Sequence, residues 1–452
     1  MNSKSSAAPT ADEQTEANLN ALVQKGIEIH QKGRLDEAEA IYDEVLEQDP
    51  LNASALHFAG LLQFHRGRCD EAERLLGRSI AFNPEYADAY NNLGNVLRHQ
   101  KKLVEASACY QRASKIDEKH ANALRNLGLV NREIGNLDIA QAALQRYVEL
   151  NPDCPNGRED LAILLFDSGL YGESIPHFEQ AMRLKPGRGI RYNLGMAYYG
   201  AGKVEKARDV FSAWYREDPE DAVARHMAAS FSVGDDVPDQ AHVEYVRMLF
   251  DDFSENFDNI LTEKLDYDVP NLIAGAVASR YRDAGPTLNI LDVGCGTGLC
   301  AEGLKPYASM LVGMDLSRGM LEQAQELDLY DELVMAELTD FFDRREYTFD
   351  LIASGDTLCY LGDLQDAVAG ARQNLAEDGR FIFSVEHSKE STPDGYLLQM
   401  NGRYKHSQPY IERLLSTTGF QLEAMDRVTL RLEQGKPVAG LIVVAKAATT
   451  GE

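Results

Sequence analysis

Between residues 19 and 221 the same small residues return every 34 positions, and that period constrains the first half of the chain more than any other feature. Glycine stands at Gly26, Gly60, Gly94, Gly128 and Gly195, with Ala162 in the missing slot and the last register slipped by one. Alanine follows at Ala38, Ala72, Ala106, Ala140 and Ala207, with Ser174 between them. A large side chain keeps step at Tyr42, Leu76, Tyr110, Leu144, Phe178 and Phe211. Prolines close the units at Pro50, Pro84, Pro152, Pro186 and Pro219, and Glu118 fills the one place without a proline. A unit of this length holds two helices. Gly and Ala mark where they cross closely, the large residue fills the space beside them, and proline stops the second helix. One unit cannot bury its own apolar face, so the units stack into a superhelix lined on its inner face by the first helices.

The pattern resembles the tetratricopeptide repeat, in six units, with residues 222–233 as a helix capping the array. Asn92, Asn126 and Asn193 share one slot, two residues before the glycine of their units, and Gln24 and Asp160 take it in two others. In repeat proteins resembling the O-GlcNAc transferase superhelix, asparagines in this slot hydrogen-bond a peptide backbone. The resemblance therefore implies a protein or peptide partner in the groove, held by Asn92, Asn126 and Asn193, with Asn95 and Asn122 extending the polar face. A merely solvated helix face is the alternative.

The second half turns on residues 288–298, Leu-Asn-Ile-Leu-Asp-Val-Gly-Cys-Gly-Thr-Gly. Residues 290–293 have the length and branching of a buried parallel strand. They run into Gly294, Gly296 and Gly298, and residues 299–307 suit a helix. At such a turn the missing side chains let a ligand approach the backbone. A phosphate-binding P-loop would end in Gly-Lys-Ser/Thr, which is absent. The dinucleotide fingerprint needs glycine at its sixth place, and Leu299 stands there. Asp292, beside the loop, would repel a pyrophosphate but suits a ligand bearing an amino group and a sulfonium. Residues 311–317 read as a second strand ending in Asp315, whose carboxylate can accept both hydroxyls of a ribose. The pattern fits S-adenosylmethionine.

On these two motifs residues 286–446 resemble a class I S-adenosylmethionine-dependent methyltransferase, and the whole chain resembles bacterial methyltransferases that carry an amino-terminal repeat array. The resemblance implies an all-α tetratricopeptide-repeat superhelix followed by a Rossmann-like α/β domain. Its seven-stranded sheet would run 3-2-1-4-5-7-6, closed by a hairpin from residues 421–432 and 438–446, with ligands at the carboxyl ends of the strands. Cofactor contacts are implied from Asp292, Gly294, Cys295, Gly296, Thr297 and Gly298 in the loop and from Asp315 and Leu316. Glu337 and Leu338 are implied beside the adenine, and Ser354 at the end of the fourth strand. Phe250, Phe253 and Phe257 recur at helical spacing and are expected to form a lid with Tyr267. Aminopropyl transfer is the alternative chemistry on this fold.

Methyl transfer asks the protein to align an acceptor with the methyl carbon and to exclude water, and a base is needed only for a protonated acceptor. Candidates after the fourth and fifth strands are Asp356, Glu386, His387 and His406, the histidines because they titrate near neutrality. Arg403 and Tyr404 are candidates for holding the acceptor, Arg403 through a carboxylate. No metal site is indicated. The expected organisation is a disordered leader over 1–16, the repeat array over 17–233, linker and lid helices over 240–285, and the methyltransferase over 286–452. The acidic, turn-rich residues 234–239 mark the boundary.

Charge narrows the partners. Asp and Glu number 72 against 45 Lys and Arg, and the net charge of −27 argues against nucleic acid and against an anionic membrane surface. No run of 18 apolar residues occurs, and the leader lacks the apolar centre of a signal peptide. The six cysteines show no Cys-x-x-Cys spacing, so neither a disulfide framework nor zinc is expected, and the expected compartment is the cytoplasm. Three readings follow: a methyltransferase whose repeats recruit a protein substrate, one that acts on a small metabolite with the repeats as an assembly anchor, or a non-catalytic scaffold that has kept the cofactor fold.

Overall fold

The computed structural model describes residues 11–232, 238–253, 266–282, 284–390, 392–433 and 435–448. The chain divides into two compact units, Met1–Ala201 and Gly202–Glu452. The first is a run of helices, α1 (Ala11–Gln31), α2 (Leu35–Gln48), α3 (Ala53–His65), α4 (Cys69–Phe82), α5 (Ala87–His99) and α6 (Leu103–Ile116). It continues as α7 (Ala121–Ile134), α8 (Leu137–Leu150), α9 (Pro155–Asp167), α10 (Tyr171–Leu184) and α11 (Arg188–Gly200). Helix α1 reaches ahead of residue 17, where the array was expected to begin; residues 1–10 of the leader lie outside the described residues.

The 34-residue period is the packing code of this unit. A methyl group added at Gly26 would sit 2.5 Å from the Tyr42 ring, one at Gly60 2.8 Å from Leu76, and one at Gly94 2.5 Å from Tyr110. The bare glycine is what lets each large residue lie flat against the facing helix. Those knobs are fully or almost fully buried, as are Ala38, Ala72, Ala106 and Ala140 at the crossing points. Pro50, Pro84, Pro152 and Pro186 each fall just beyond the ends of α2, α4, α8 and α10, where the helix could not have continued.

The second unit opens with α12 (Val204–Glu217), α13 (Ala222–Ser230), α14 (Val243–Phe253) and α15 (Val269–Tyr281). There follow β1 (Leu288–Val293), α16 (Ala301–Leu304), β2 (Ala308–Asp315), α17 (Arg318–Glu326), β3 (Glu332–Met335), α18 (Leu338–Arg344) and β4 (Phe349–Ser354). The chain ends with α19 (Gln365–Asn374), β5 (Leu375–His387), β6 (Tyr396–Leu398), β7 (Tyr404–His406), α20 (Gln408–Thr417), β8 (Phe420–Glu433) and β9 (Lys436–Ala447). Strands β3, β2, β1, β4 and β5 lie side by side and parallel, with Ile290 of β1 opposite Leu311 of β2 and Leu351 of β4. Apolar runs on these strands reflect burial on both faces. Ile290, Leu311 and Leu351 pack with Val269, Ile273 and Val277 of α15, while Leu291, Val312 and Ile352 pack with Val368 of α19 and Ile411 of α20.

Strand β5 carries two partners at its far edge. Arg380–Glu386 pairs antiparallel with β9, which pairs with β8 as the closing hairpin. Glu386 and His387, at the tip, pair parallel with Lys405 and His406 of β7, which pairs with β6. The expected order 3-2-1-4-5-7-6 is present as β3-β2-β1-β4-β5-β9-β8, and the small β6–β7 hairpin, which brings the sheet to nine strands, is an addition at the end of β5 that was expected only as a polar run. Among the described residues no helix is long and apolar enough to cross a membrane.

Candidate active site

The carboxyl ends of β1, β2 and β4, together with α14, enclose a cavity of about 320 Å³ in the second unit. The glycine loop forms one wall. Gly294 has φ 65°, and a methyl group there would strike the Thr357 hydroxyl, so the loop can follow this path only without a side chain. Asp315, at the end of β2, faces the loop: Oδ2 accepts from the Gly296 N–H at 3.0 Å and Oδ1 from the Ser317 N–H at 2.9 Å. The Leu316 N–H also bonds this carboxylate, which stands at the cavity wall with acceptor capacity remaining among its roughly four positions. Burial pushes its pKa above the usual carboxylate value. Glu337 caps α18, with Oε2 accepting from the N–H groups of Thr339 at 2.8 Å and Asp340 at 3.1 Å. It lines the same cavity with Leu338, Leu316, Cys295 and Thr297.

Asp292 is placed differently from expectation. It is buried behind the loop, and its Oδ2 accepts from the Tyr330 hydroxyl at 2.7 Å, so it does not line the cavity. Burial pushes its pKa up to about 7, with the Tyr330 bond pulling it down and the charge of Asp315 pushing it further up. The Tyr330 ring fits where two glycines lack side chains, since a methyl at Gly298 would come within 3.2 Å of it and one at Gly313 within 2.8 Å. Gly298 and Ser354 also stay off the cavity lining. Tyr330 has no motif to announce it, because it reaches Asp292 from a loop 38 residues away.

The other end of the cavity is aromatic and internally charge-paired. Phe250 of α14 meets the Tyr360 ring edge-on at 5.4 Å between centroids, and Tyr267 lines the wall beside them. The side chain of Phe253, and Phe257 entirely, lie outside the described residues. The Arg403 guanidinium stacks 5.1 Å from the Tyr360 ring centroid, 2.5 Å from Asp356 Oδ1 and 2.8 Å from Glu386 Oε1. Arg431 completes the square at 2.6 Å from Glu386 and 3.3 Å from Asp356. Burial raises the pKa of Asp356, but the charges of Arg403 and Arg431 outweigh it and hold the carboxyl below the usual range.

Five expectations change here. Asp356 lines the cavity, yet as an ionised partner of two arginines it is poorly suited to take a proton. Arg403 lines the cavity too, but Asp356 and Glu386 already neutralise it, leaving no unpaired cation for an acceptor carboxylate. His406 is fully buried, donates from Nε2 to the Gly362 carbonyl at 3.0 Å, and burial pushes its pKa down to about 4. Neither His406 nor His387 lines the cavity, and Tyr404 turns its hydroxyl to the Pro238 carbonyl at 2.6 Å. Arg431 was not anticipated: it lies in the closing hairpin, and nothing in the spacing of the sequence links it to Asp356 or Glu386.

In the first unit, polar side chains join successive first helices. The Asn92 amide donates to His57 Nε2 at 2.7 Å, and His57 Nδ1 lies 2.8 Å from the Tyr86 hydroxyl. The Asn126 amide donates to Asn91 Oδ1 at 3.0 Å and to Asn95 Oδ1 at 3.1 Å, and Arg125 pairs with Asp160 at 2.6 Å. The asparagine slot therefore stitches repeat to repeat at Asn92 and Asn126, rather than leaving both amides unengaged; Asn193 is half-buried on α11.

Residues 291–383 match the family model described as a methyltransferase domain, and models described as tetratricopeptide repeats match 30–96, 85–153, 125–189 and 159–222. The chain is 30% identical over 178 residues to the mitochondrial arginine-hydroxylase NDUFAF5 of Danio rerio, covering 36% of this chain and 55% of that protein. It is 31% identical over 156 residues to a malonyl-[acyl-carrier protein] O-methyltransferase of Geobacter sulfurreducens, covering 32% and 56%. The chain thus spans about half the length of the curated relatives it matches. The solved structure of magnesium protoporphyrin IX methyltransferase from Synechocystis PCC 6803 with bound SAH is 16% identical, with a TM-score of 0.37, covering 46% of this chain and 100% of that one. The chain carries tetratricopeptide repeats followed by a methyltransferase domain.

Proposed function

We propose that the cavity of the second unit binds S-adenosylmethionine and transfers its methyl group to an acceptor brought to the Tyr360–Arg403 end. The observation that carries this is Asp315: it ends β2 at the cavity wall, its carboxylate is held by the N–H groups of Gly296 in the glycine loop and of Ser317 ahead of α17, and it can accept from the hydroxyls of a ribose there. The loop, bare at Gly294 and Gly296, is shaped for close approach, and Glu337 accepts its capping bonds on Oε2 while lining the cavity where an adenine amino group would lie. When bound, the cofactor supplies an electrophilic methyl carbon on a positive sulfur. The chain's own part is alignment and exclusion of water by the apolar wall of α14, with Phe250 and Tyr267.

The charge-paired acceptor end favours a neutral acceptor. Two arginines face two carboxylates, so neither an acid nor a cation finds an uncompensated counter-charge there. Among the described lining residues no histidine stands as a base, which favours a nucleophile that needs no strong base. The repeats are read as a docking module for a protein partner, either the substrate itself or an assembly to which a metabolite-modifying enzyme is anchored.

The test uses methyl-labelled S-adenosylmethionine with lysate, separating macromolecules from metabolites and following S-adenosylhomocysteine. Label in protein supports recruitment by the repeats, and label in metabolites supports the anchor reading. Because one relative is named for arginine hydroxylation, transfer itself must be measured. Cofactor binding with no S-adenosylhomocysteine formed in any fraction would overturn the methyltransferase reading.

A further inference from the structure

Arg403 reaches the cavity from a tight turn between β6 and β7, and that turn is held from outside the sheet. The Gly402 N–H donates to the Gln399 carbonyl at 2.8 Å, and the Arg403 N–H donates to Asn401 Oδ1 at 3.1 Å. The Gly402 carbonyl, immediately before Arg403, accepts from His226 Nε2 of α13 at 2.9 Å. His226 is 2% exposed and lies 176 residues earlier in the chain. Its ring packs 4.4 Å from the Tyr245 ring of α14 and 6.1 Å from that of Tyr404. Gly402 has φ 80°, and a methyl group there would strike the Tyr245 hydroxyl and come within 3.4 Å of Met227 Sδ, so the turn is pressed against α13 and α14 with no space to spare.

The segment after α13 holds the opposite wall in the same way. The Ala241 N–H donates to the Tyr360 carbonyl at 2.8 Å, and the N–H groups of Gly362 and Asp363 both donate to the Asp239 carbonyl at 2.8 Å. Tyr360 and Arg403, which stack on each other, are thus both fixed by chain that lies between the last repeat and the first strand.

We propose that His226 is a positioning residue for Arg403, and that α13 sets the acceptor end of the cavity while leaving the cofactor end to the glycine loop. The assignment of an acceptor end rests on the methyltransferase reading; the coupling of His226 to Arg403 does not. Removing the imidazole leaves the buried Gly402 carbonyl without its donor, which favours local opening of the turn.

The chain holds its own reporter, because Cys359 Sγ is buried 2.9 Å from Arg403 Nη2, whereas Cys295 is buried in the glycine loop. Full-length protein is labelled with N-ethylmaleimide, and rates at each cysteine are read by peptide mass spectrometry. His226→Ala should label Cys359 about tenfold faster, with Cys295 unchanged. His226→Gln, whose amide N–H can still donate, should restore a rate within about twofold of the parent. Gly402→Ala should also accelerate Cys359, because its methyl would strike Tyr245 and push the turn off α13 and α14. Should His226→Ala unfold the chain, seen as all six cysteines reacting together, Gly402→Ala decides: selective labelling of Cys359 supports the proposal. Equal protection of Cys359 in the folded variants overturns it. Calorimetry with S-adenosylhomocysteine runs alongside. Unchanged affinity in His226→Ala is expected, and absence of binding to the parent would sink the functional reading without touching the coupling.

Discussion

Asp315 and Asp292 are two carboxylates on neighbouring strands with different work. Asp315 lines the cavity, so Asp315→Ala should weaken S-adenosylhomocysteine binding by about 10–100-fold, the loss expected for hydrogen bonds to a charged acceptor. Equal affinity by calorimetry would remove the ribose assignment. Asp292 acts behind the loop, and its effect is on stability. Its folded pKa of about 7 stands above the ordinary 3.8, so the folded chain binds the extra proton through that window. The stability this contributes is complete below about pH 4 and is lost as pH rises toward 7. Asp292→Asn cannot lose that proton, so denaturant melts from pH 4 to 7 should show the variant gaining on the parent as pH rises; a constant difference would refute the burial argument. That the glycine loop, Asp315 and Glu337 line one cavity was legible because each closes a short run of apolar strand. The acceptor end was not. Asp356, Glu386, Arg403 and Arg431 come from four segments that only the fold brings together, and the one position singled out for a carboxylate acceptor, Arg403, proves to be neutralised by its own neighbours.

At the scale of elements, the repeat period predicts cost as well as structure. A methyl group at Gly128 would strike the Leu144 side chain and approach the Ala140 carbonyl to 3.3 Å, so Gly128→Ala should destabilise the first unit by about 1–3 kcal/mol through overpacking. Gly77, in the middle of α4, meets nothing within 4 Å and is exposed, so Gly77→Ala should stabilise it by roughly 0.5–1 kcal/mol through helix propensity. Thermal melts of the two variants must move in opposite directions for the knob-and-glycine account to stand. Helices and strands were legible where apolar spacing repeats or a buried run is long: β4 occupies the six residues expected, Phe349–Ser354. The β6–β7 hairpin was not, because strands of three residues are too short to show alternation, and its pairing comes from the last two residues of β5.

For the whole molecule, the two compact units meet in sequence at Ala201–Gly202, inside the sixth repeat pair, well before the turn-rich residues 234–239 that the sequence offers as a boundary. The difference has a physical cause: composition shows where a chain can bend, whereas cohesion depends on what is buried. Phe211, Trp214, Met227 and Phe231 on and after α12 are all at most 3% exposed, and Tyr245 and Tyr404, beside His226, are fully buried. A fragment of residues 202–452 keeps these contacts, whereas one of residues 240–452 discards α12, α13 and the His226 bond to Gly402. Uncovering the ring of Tyr245 costs about 1.5–3 kcal/mol, and losing the bond to a buried carbonyl adds about 1–3 kcal/mol. At roughly 2–4 °C per kcal/mol for a domain of this size, the shorter fragment should melt on the order of 5–20 °C below the longer one. Its cofactor affinity, once folded, should match, because Asp315, Glu337 and the glycine loop are common to both. Trp214, the single tryptophan, gives the longer fragment its own fluorescence signal for unfolding, and circular dichroism serves both. Equal melting temperatures would show that α12 and α13 merely rest on the methyltransferase domain, and that its edge lies after them, where the sequence places it.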